Sequence, residues 1–573
     1  MNAEEKASEL AINNVLKEGL TDIFPQPHEI QLLKNNDFKE LVKGEVVRAL
    51  KGCTLESLKV SPLEHVLIPK TSAFDFRRCA LIQPLDTIKY LALAILLAGN
   101  IEKNRLDKKR KIIFSYRFSV RPCQGYIFDK GYNYTTFRTH VSEKIKQDKV
   151  STLVSCDIAN FFDRLNLHRL ESILLSISPN ESDKKYVRLV NQLLLSWANR
   201  DSYGLPVGSN ASRILAEAAL IGVDNYLEKS GIRFCRFVDD YRFFAPNVQT
   251  AHYWLTQFME RLWLEGLAIN KNKTKIEDVS HKKHSPKTDT VIDMVQGNVT
   301  KVPHQETRGN FRIIAGYGGT IPTKFRQPSK SEIENLTKID ISAVLKKIES
   351  LQIVSPEEVG EFLRASPYVC SGEKETESLK KIPDVLEKFP QFTPFAVDML
   401  IKHKDIFPED IKNSISSYFS KKLSDTIFSK KLSDTISNTS YLPEYLSISI
   451  IRLLGTEGYC NPDMLFKYFT NLRRNSGAYV GRAALDAMEN LISRGQVIEI
   501  RHFFVRADSW EKRQIVRIVS THLEEDEKRP WLKNIKIQEG DDLFLREIIE
   551  PTKPKLKKKR KPSTKKQQKN SKP

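Results

Sequence analysis

The chain has 573 residues, 40% of them hydrophobic and 28% charged, an ordinary soluble globular composition with room for two or three domains. Its formal net charge of +20 points to a polyanionic partner, nucleic acid first. The eye finds no run of about 18 apolar residues, so no membrane span is expected; seven scattered cysteines without a CxxC pair argue against structural zinc and a disulfide framework, and suit a reducing cytoplasm.

The opening stretch, "MNAEEKASELAINNVLKEGL", is acidic and amphipathic and lacks the basic start and apolar core of a secretory signal. Residues 1–60 read as short helices. From 61 to 310, β-like runs ("TLVSCDIANFF", "RFCRFVDDYRFFA") alternate with helical ones ("PLDTIKYLALAILLAGNIEKNRL", "SRILAEAALIGVDNYLEKSG"). That alternation predicts an α/β or α+β core. Residues 280–310 are polar and loop-like.

From about 330 to 547 the strands vanish and amphipathic helices follow one another. "AYVGRAALDAMENLISRG", 478–495, spaces Val480, Ala483, Ala484, Ala487 and Leu491 helically and is expected to stop at Gly495. Asp508 and Glu511 have the spacing of a capping box. Paired helices of this sort suggest a HEAT-like solenoid, with a plain bundle as the alternative. A nonapeptide, "FSKKLSDTI", occurs at 419–427 and again at 428–436. The tail, 551–573, holds eleven Lys or Arg and no acid, just over half the net charge. It is expected to be disordered and to bind nucleic-acid backbone.

The chemistry concentrates in three stretches. "FCRFVDDYRFFA", 234–245, sets Asp239 and Asp240 inside an apolar run. Burying an unpaired carboxylate is costly, so a strand–turn–strand with the acids at its tip is expected. Side chains alternate along a strand; Asp239 then aims into a site and Asp240 assists. "LVSCDIANFFDRL", 153–165, ends a short apolar strand at Asp157. Acids converging from two neighbouring strands suit divalent metal, and Mg²⁺ takes oxygen ligands that it shares with substrate phosphates. "GLPVGSNASRILAEAAL", 204–220, has a loop of Gly204, Pro206 and Gly208 feeding a helix that Ser209 or Asn210 can cap.

In this order the stretches resemble the palm of reverse transcriptases: "DIANFFD" looks like motif A, "GLPVGSNASRILAE" like motif B, "FVDD" like the YxDD box of motif C, and "GLAINKNKTKI", 266–276, like motif D. The motif B phrase and the helical second half are similar to bacterial defence-associated reverse transcriptases of the abortive-infection (AbiK-like) group. Phe237 stands where Tyr is common, and no thumb is recognisable.

The resemblance implies an α+β fold. A right-handed fingers and palm region (61–310) follows an N-terminal helical segment (1–60). An all-α HEAT-like domain (330–547) and the basic tail (551–573) come after it. It implies a DNA polymerase with two Mg²⁺ held by Asp157, Asp239, Asp240 and the Ile158 carbonyl, and Phe162 as a steric gate against the 2′-hydroxyl of ribonucleotides. Lys70, Arg77 and Arg78 would face the triphosphate, and Lys273 would help protonate the departing pyrophosphate. Gly204, Pro206, Gly208, Ser212 and Arg213 would form a template and primer loop. The group implies protein-primed, template-independent synthesis of single-stranded DNA in a homo-oligomer of the bacterial cytoplasm. The alternatives are an enzyme that copies a dedicated noncoding RNA, and a maturase-like RNA-binding protein without catalysis.

Overall fold

A computed structural model describes residues 2–20, 27–69, 76–121, 125–147, 149–199, 201–280, 327–350, 356–369, 373–431, 442–472 and 477–552. Lys70, most of the 280–310 loop, most of the second nonapeptide and the tail beyond 552 lie outside the described residues.

Eight strands are described. The hairpin β1 (Glu64–Pro69) and β2 (Phe76–Leu81) forms one small antiparallel sheet, and β3 (Phe118–Arg121) and β4 (Tyr126–Phe128) form another. The central sheet combines β5 (Thr152–Asp157), β6 (Phe234–Phe237), β7 (Asp240–Ala245) and β8 (Lys275–Asp278) in the order β6-β7-β5-β8, with every pairing antiparallel. Strand β5 is covered on both faces, so Leu153, Val154, Ser155 and Cys156 are all buried. It therefore reads as a continuous run rather than as an alternation.

Behind the sheet packs the helix Val248–Leu264, with Phe258 against Tyr241 and Phe243 at ring-centroid distances of 4.5 and 5.2 Å. The helix Asn210–Ala219 packs on Pro84–Asn104, which is also covered by Ala3–Glu18. Pro84–Asn104 is long and apolar enough to cross a bilayer by length and composition alone, yet most of it is buried inside the fold. It is the buried central helix of this half, with both flanking helices on it. The helical run expected over 212–231 is two helices, Asn210–Ala219 and Ile221–Lys229, joined at Leu220.

From Lys330 onward only helical elements occur among the described residues. The capping box at Asp508 and Glu511 is formed: Asp508 accepts from the Glu511 amide at 3.0 Å and its own amide donates back at 3.3 Å. The helix from Ala478 ends at Met488, short of Gly495, which lies in the first turn of the next helix, Arg494–His502. Ser493 caps that helix, accepting from the Gln496 amide, and a local cap overrides the run-on apolar pattern.

Two large cores result. One is shared by the N-terminal helices and the central sheet. The other fills the helical half and also takes in Val66, Ile68, Cys79 and Leu81 of the β1–β2 hairpin and Val207 of the glycine loop.

Candidate active site

Strand β5 delivers Asp157 to its end, directly opposite Asp240, the first residue of β7. Directly opposed residues of an antiparallel pair share a face and lie within contact range. Phe237 pairs with Asp240 and closes a two-residue turn of Val238 and Asp239. The Asp239 carbonyl accepts from the Ile158 amide at 3.1 Å, tying the turn to the strand end. The predicted hairpin tip is thus formed, and it brings all three aspartates to one strand end.

The electrostatics show crowding. Burial, then the Asp157 carboxylate beside it, push Asp239 up to about 7. Asp240 is also raised by burial, and the Arg242 guanidinium opposes the shift. Arg242 lies two residues on and on the same face of β7, and forks onto both Asp240 oxygens. Lys273 Nζ lies 3.3 Å from Asp157 Oδ2. With the lysine side chain 59% exposed, that pair is a weak, movable countercharge.

The segment resembling motif D is stitched along the end of β5. The Asn270 amide donates to the Asp157 carbonyl at 2.7 Å, the Ala159 amide donates to Ala268 at 2.8 Å, and Ile158 bridges Ile269. Lys273 is therefore carried to the carboxylates by backbone geometry.

Phe162 follows in the short helix Phe161–Arg164, its ring 5.5 Å from that of Phe161 and its side chain partly buried where the two large cores meet. Its carbonyl accepts from the Leu205 amide at 2.9 Å, and the Gly204 amide donates to Leu165 at 2.9 Å. The glycine loop thereby lies against Phe162. Gly204 has φ +94°, a left-handed backbone that favours glycine, while a Cβ there would make only ordinary contact with the Asp163 carbonyl oxygen at 3.4 Å. Ser209 caps the following helix, accepting from the Ala211 amide at 3.1 Å.

Ser212 turns inward. Fully buried, it donates to the Pro206 carbonyl at 2.6 Å and meets the Tyr90 hydroxyl at 3.0 Å, so it shapes the loop from beneath. Arg213 lines a cavity of about 300 Å³ with Asn14, Glu18, Ser209 and Asn210, and stacks over Tyr116 at 5.5 Å. Arg77 and Arg78 are consecutive on β2, opposite Ile68 and Leu67, and so lie on opposite faces of the hairpin. Arg78 meets His65 at 3.1 Å.

Two further residues shape the site and escape motif reasoning. Arg242 neutralises Asp240, and Arg236 lies fully buried in β6, two residues before Val238 of the turn. The available signal is an arginine inside an apolar strand, since arginine is rarely fully buried without a partner.

Three carboxylates crowded at one strand end, one of them pushed to about 7, form an all-oxygen donor set that a divalent cation would relieve. Among the described residues no three acidic, His or Cys side chains close into a ready metal cage.

The antiparallel strands thus present three acids at one strand end, with the glycine loop nearby. Residues 101–293, which span all three aspartates, match the family model described as reverse transcriptase (RNA-dependent DNA polymerase). That segment, about a third of the chain, is matched as a reverse-transcriptase domain, which indicates RNA-directed DNA polymerase activity, a nucleotidyl transfer. No curated protein matches the chain. Among solved structures it is similar to telomerase from Candida albicans in complex with a fragment of telomeric RNA, at 14% identity over 68% of this chain and 69% of that one, TM-score 0.28. It is also similar to apo telomerase from Candida tropicalis, at 14% identity over 72% and 74%, TM-score 0.28.

Proposed function

We propose that the chain is a Mg²⁺-dependent DNA polymerase of reverse-transcriptase type that adds dNTPs at the Asp157–Asp239–Asp240 site, and that it serves antiphage defence as a member of the abortive-infection group. The observation that supports the polymerase reading is the strand register, which sets Asp157 opposite Asp240 with Asp239 in the adjoining turn. Asp157, Asp239 and Asp240, with the Ile158 carbonyl, would hold two Mg²⁺. When bound, these ions supply charge stabilisation at the attacking and leaving oxygens of phosphoryl transfer.

The chain's own residues divide the remaining work. Phe162 closes the sugar side of the pocket and selects dNTPs. Lys273, already beside Asp157, is within reach of departing pyrophosphate. Arg77 and Arg78 of the β1–β2 hairpin face the triphosphate, and Gly204, Pro206, Gly208 and Arg213 guide the nucleic-acid strand.

The defence reading rests on the stretch "GLPVGSNASRILAE" and on the all-helical second half. Within it, synthesis is template-independent and primed by a protein hydroxyl, so single-stranded DNA stays attached to a homo-oligomer in the bacterial cytoplasm. A second reading, copying of a dedicated noncoding RNA, is favoured by the description of the matching family.

The deciding experiment incubates the purified protein with Mg²⁺ and each labelled dNTP, without template or primer, beside Asp239→Asn. Protein-bound, DNase-sensitive label that the variant lacks is the expected result. Label that appears only with added RNA template would favour the second reading. Activity that persists in Asp239→Asn would remove the metal assignment.

A further inference from the structure

The catalytic turn is strained. Val238 has φ +58°, while Asp239 after it does not have a positive φ. A positive φ at only the first of two turn residues is the sign pattern of a type II′ hairpin, where glycine is usual. A β-branched residue there persists only if its surroundings hold it.

Two residues before Val238, Arg236 is wholly buried. Its Nη1 donates to the Val238 carbonyl at 3.1 Å. The rest of the guanidinium is anchored behind the sheet. Nε and Nη2 reach Asp224 at 2.9 and 2.7 Å, and Nη2 lies 2.8 Å from Glu217. Glu217 belongs to the helix that follows the glycine loop, and Asp224 to the next helix. Glu217 is itself held by Arg105 at 2.7 Å and by the Ser115 hydroxyl, and Asp224 accepts from the Tyr241 hydroxyl at 3.1 Å.

A buried ion network of this kind adds little stability over a well-packed apolar core; what it can supply is fixed geometry. Here that geometry ends on the carbonyl of the strained residue. A planar fork with several fixed donors can bind two acids and a carbonyl at once, which a lysine cannot.

We infer that Arg236 is a positioning residue for the catalytic turn. Anchored on Asp224 and Glu217, it grips the Val238 carbonyl and so sets the direction in which Asp239 leaves the turn. The inference rests on reading Asp157, Asp239 and Asp240 as the metal-holding acids. It also makes the helix after the glycine loop and the acidic turn one mechanical unit.

The test uses the full chain with Arg236→Lys, Arg236→Gln, Val238→Gly and the double variant Arg236→Gln/Val238→Gly. Thermal melts establish folding. Mn²⁺ affinity by electron paramagnetic resonance and hydrogen exchange of the 234–245 peptide report on the site without turnover. Steady-state dNTP incorporation reports kcat and KM.

The expected result for Arg236→Gln is a kcat at least about tenfold lower with KM changed less than about threefold, weaker Mn²⁺ binding and faster exchange in the turn. In that background Val238→Gly restores part of the Mn²⁺ affinity and kcat, because glycine holds a positive φ unaided. Native Mn²⁺ affinity with native kcat in Arg236→Gln, or a double variant no better than it, overturns the inference. If Arg236→Gln does not fold, Arg236→Lys, which keeps the charge and loses the fork, is read against the same outcomes. A wild type that incorporates no dNTP sinks the polymerase reading, and Mn²⁺ affinity and exchange then decide alone on Arg236.

Discussion

Phe162 is held by three things: the ring of Phe161, the partial cover of both cores, and the Leu205 amide on its carbonyl. The backbone contact survives truncation of the side chain, so Phe162→Ala should leave the loop in place and open space beside it. The expected outcome is that the preference for dNTPs over NTPs in kcat/KM falls by at least about tenfold, equivalent to ~1.4 kcal/mol of discrimination. Competition assays with each dNTP/NTP pair measure it, and an unchanged ratio would remove Phe162 as the gate. At this scale much of the site was readable. Asp157, Asp239 and Asp240 stand out because acids inside apolar strands conflict with their setting, and Ser209 because capping is a local interaction. The Lys273–Asp157 contact follows only from the resemblance to motif D and not from local pattern, since it depends on pairing across more than a hundred residues. Ser212, expected in the template and primer loop, is a buried strut of the helix after it, because helical phase alone does not say which face the neighbouring helix covers.

Among elements, the β1–β2 hairpin behaves least as the sequence suggests. Chain order groups it with the central sheet, yet Val66, Ile68, Cys79 and Leu81 join the core of the helical half, and Phe76 meets Tyr445 at 6.4 Å. A period-2 pattern shows that one face of a hairpin is buried but not what buries it. The docking has an electrostatic cost at Glu64, the first residue of β1. Burial, and then Asp508, Glu444 and Glu511 of the helical half, push Glu64 up to about 7 from 4.5. The folded chain therefore holds this proton more tightly than the unfolded chain. Glu64 lowers stability progressively as pH rises from about 4.5 through about 7, and the effect is constant above that window. His65, lowered to about 4 by burial and by Arg78, acts in the opposite direction below 6.5, so the comparison must be between variants at each pH. Glu64→Gln should melt at a higher temperature than the wild type at pH 8, with the gap closing toward pH 4.5. Parallel melting curves across that range would refute the assignment.

The molecule as a whole is tied together at the ends of its two halves. Arg482, buried in the helical half, binds Glu29 of the N-terminal segment through both Nη atoms at 2.8 and 3.1 Å. Arg513 reaches Gln83 at 2.8 Å, and Phe38 packs edge-on to Phe544 at 5.4 Å. Asn35 bonds Glu547 and the Thr552 carbonyl, which brings the root of the basic tail back beside the N-terminal helices. Burial alone would raise Glu29, but the Arg482 guanidinium brings it down to about 2, so the carboxylate depends on its partner. Removing one member of such a pair costs about 3–5 kcal/mol, whereas replacing both by apolar side chains is close to neutral. Arg482→Met is therefore expected to lower the melting temperature by several degrees, and Glu29→Leu/Arg482→Leu to recover most of the loss. Because the hairpin and Val207 already lie in the core of the helical half, both halves should unfold together. Calorimetry of Arg482→Met should show one transition shifted down. Two separated transitions would mean that the polymerase half stands without the helical one, and that Arg77 does not depend on the helical half for its position.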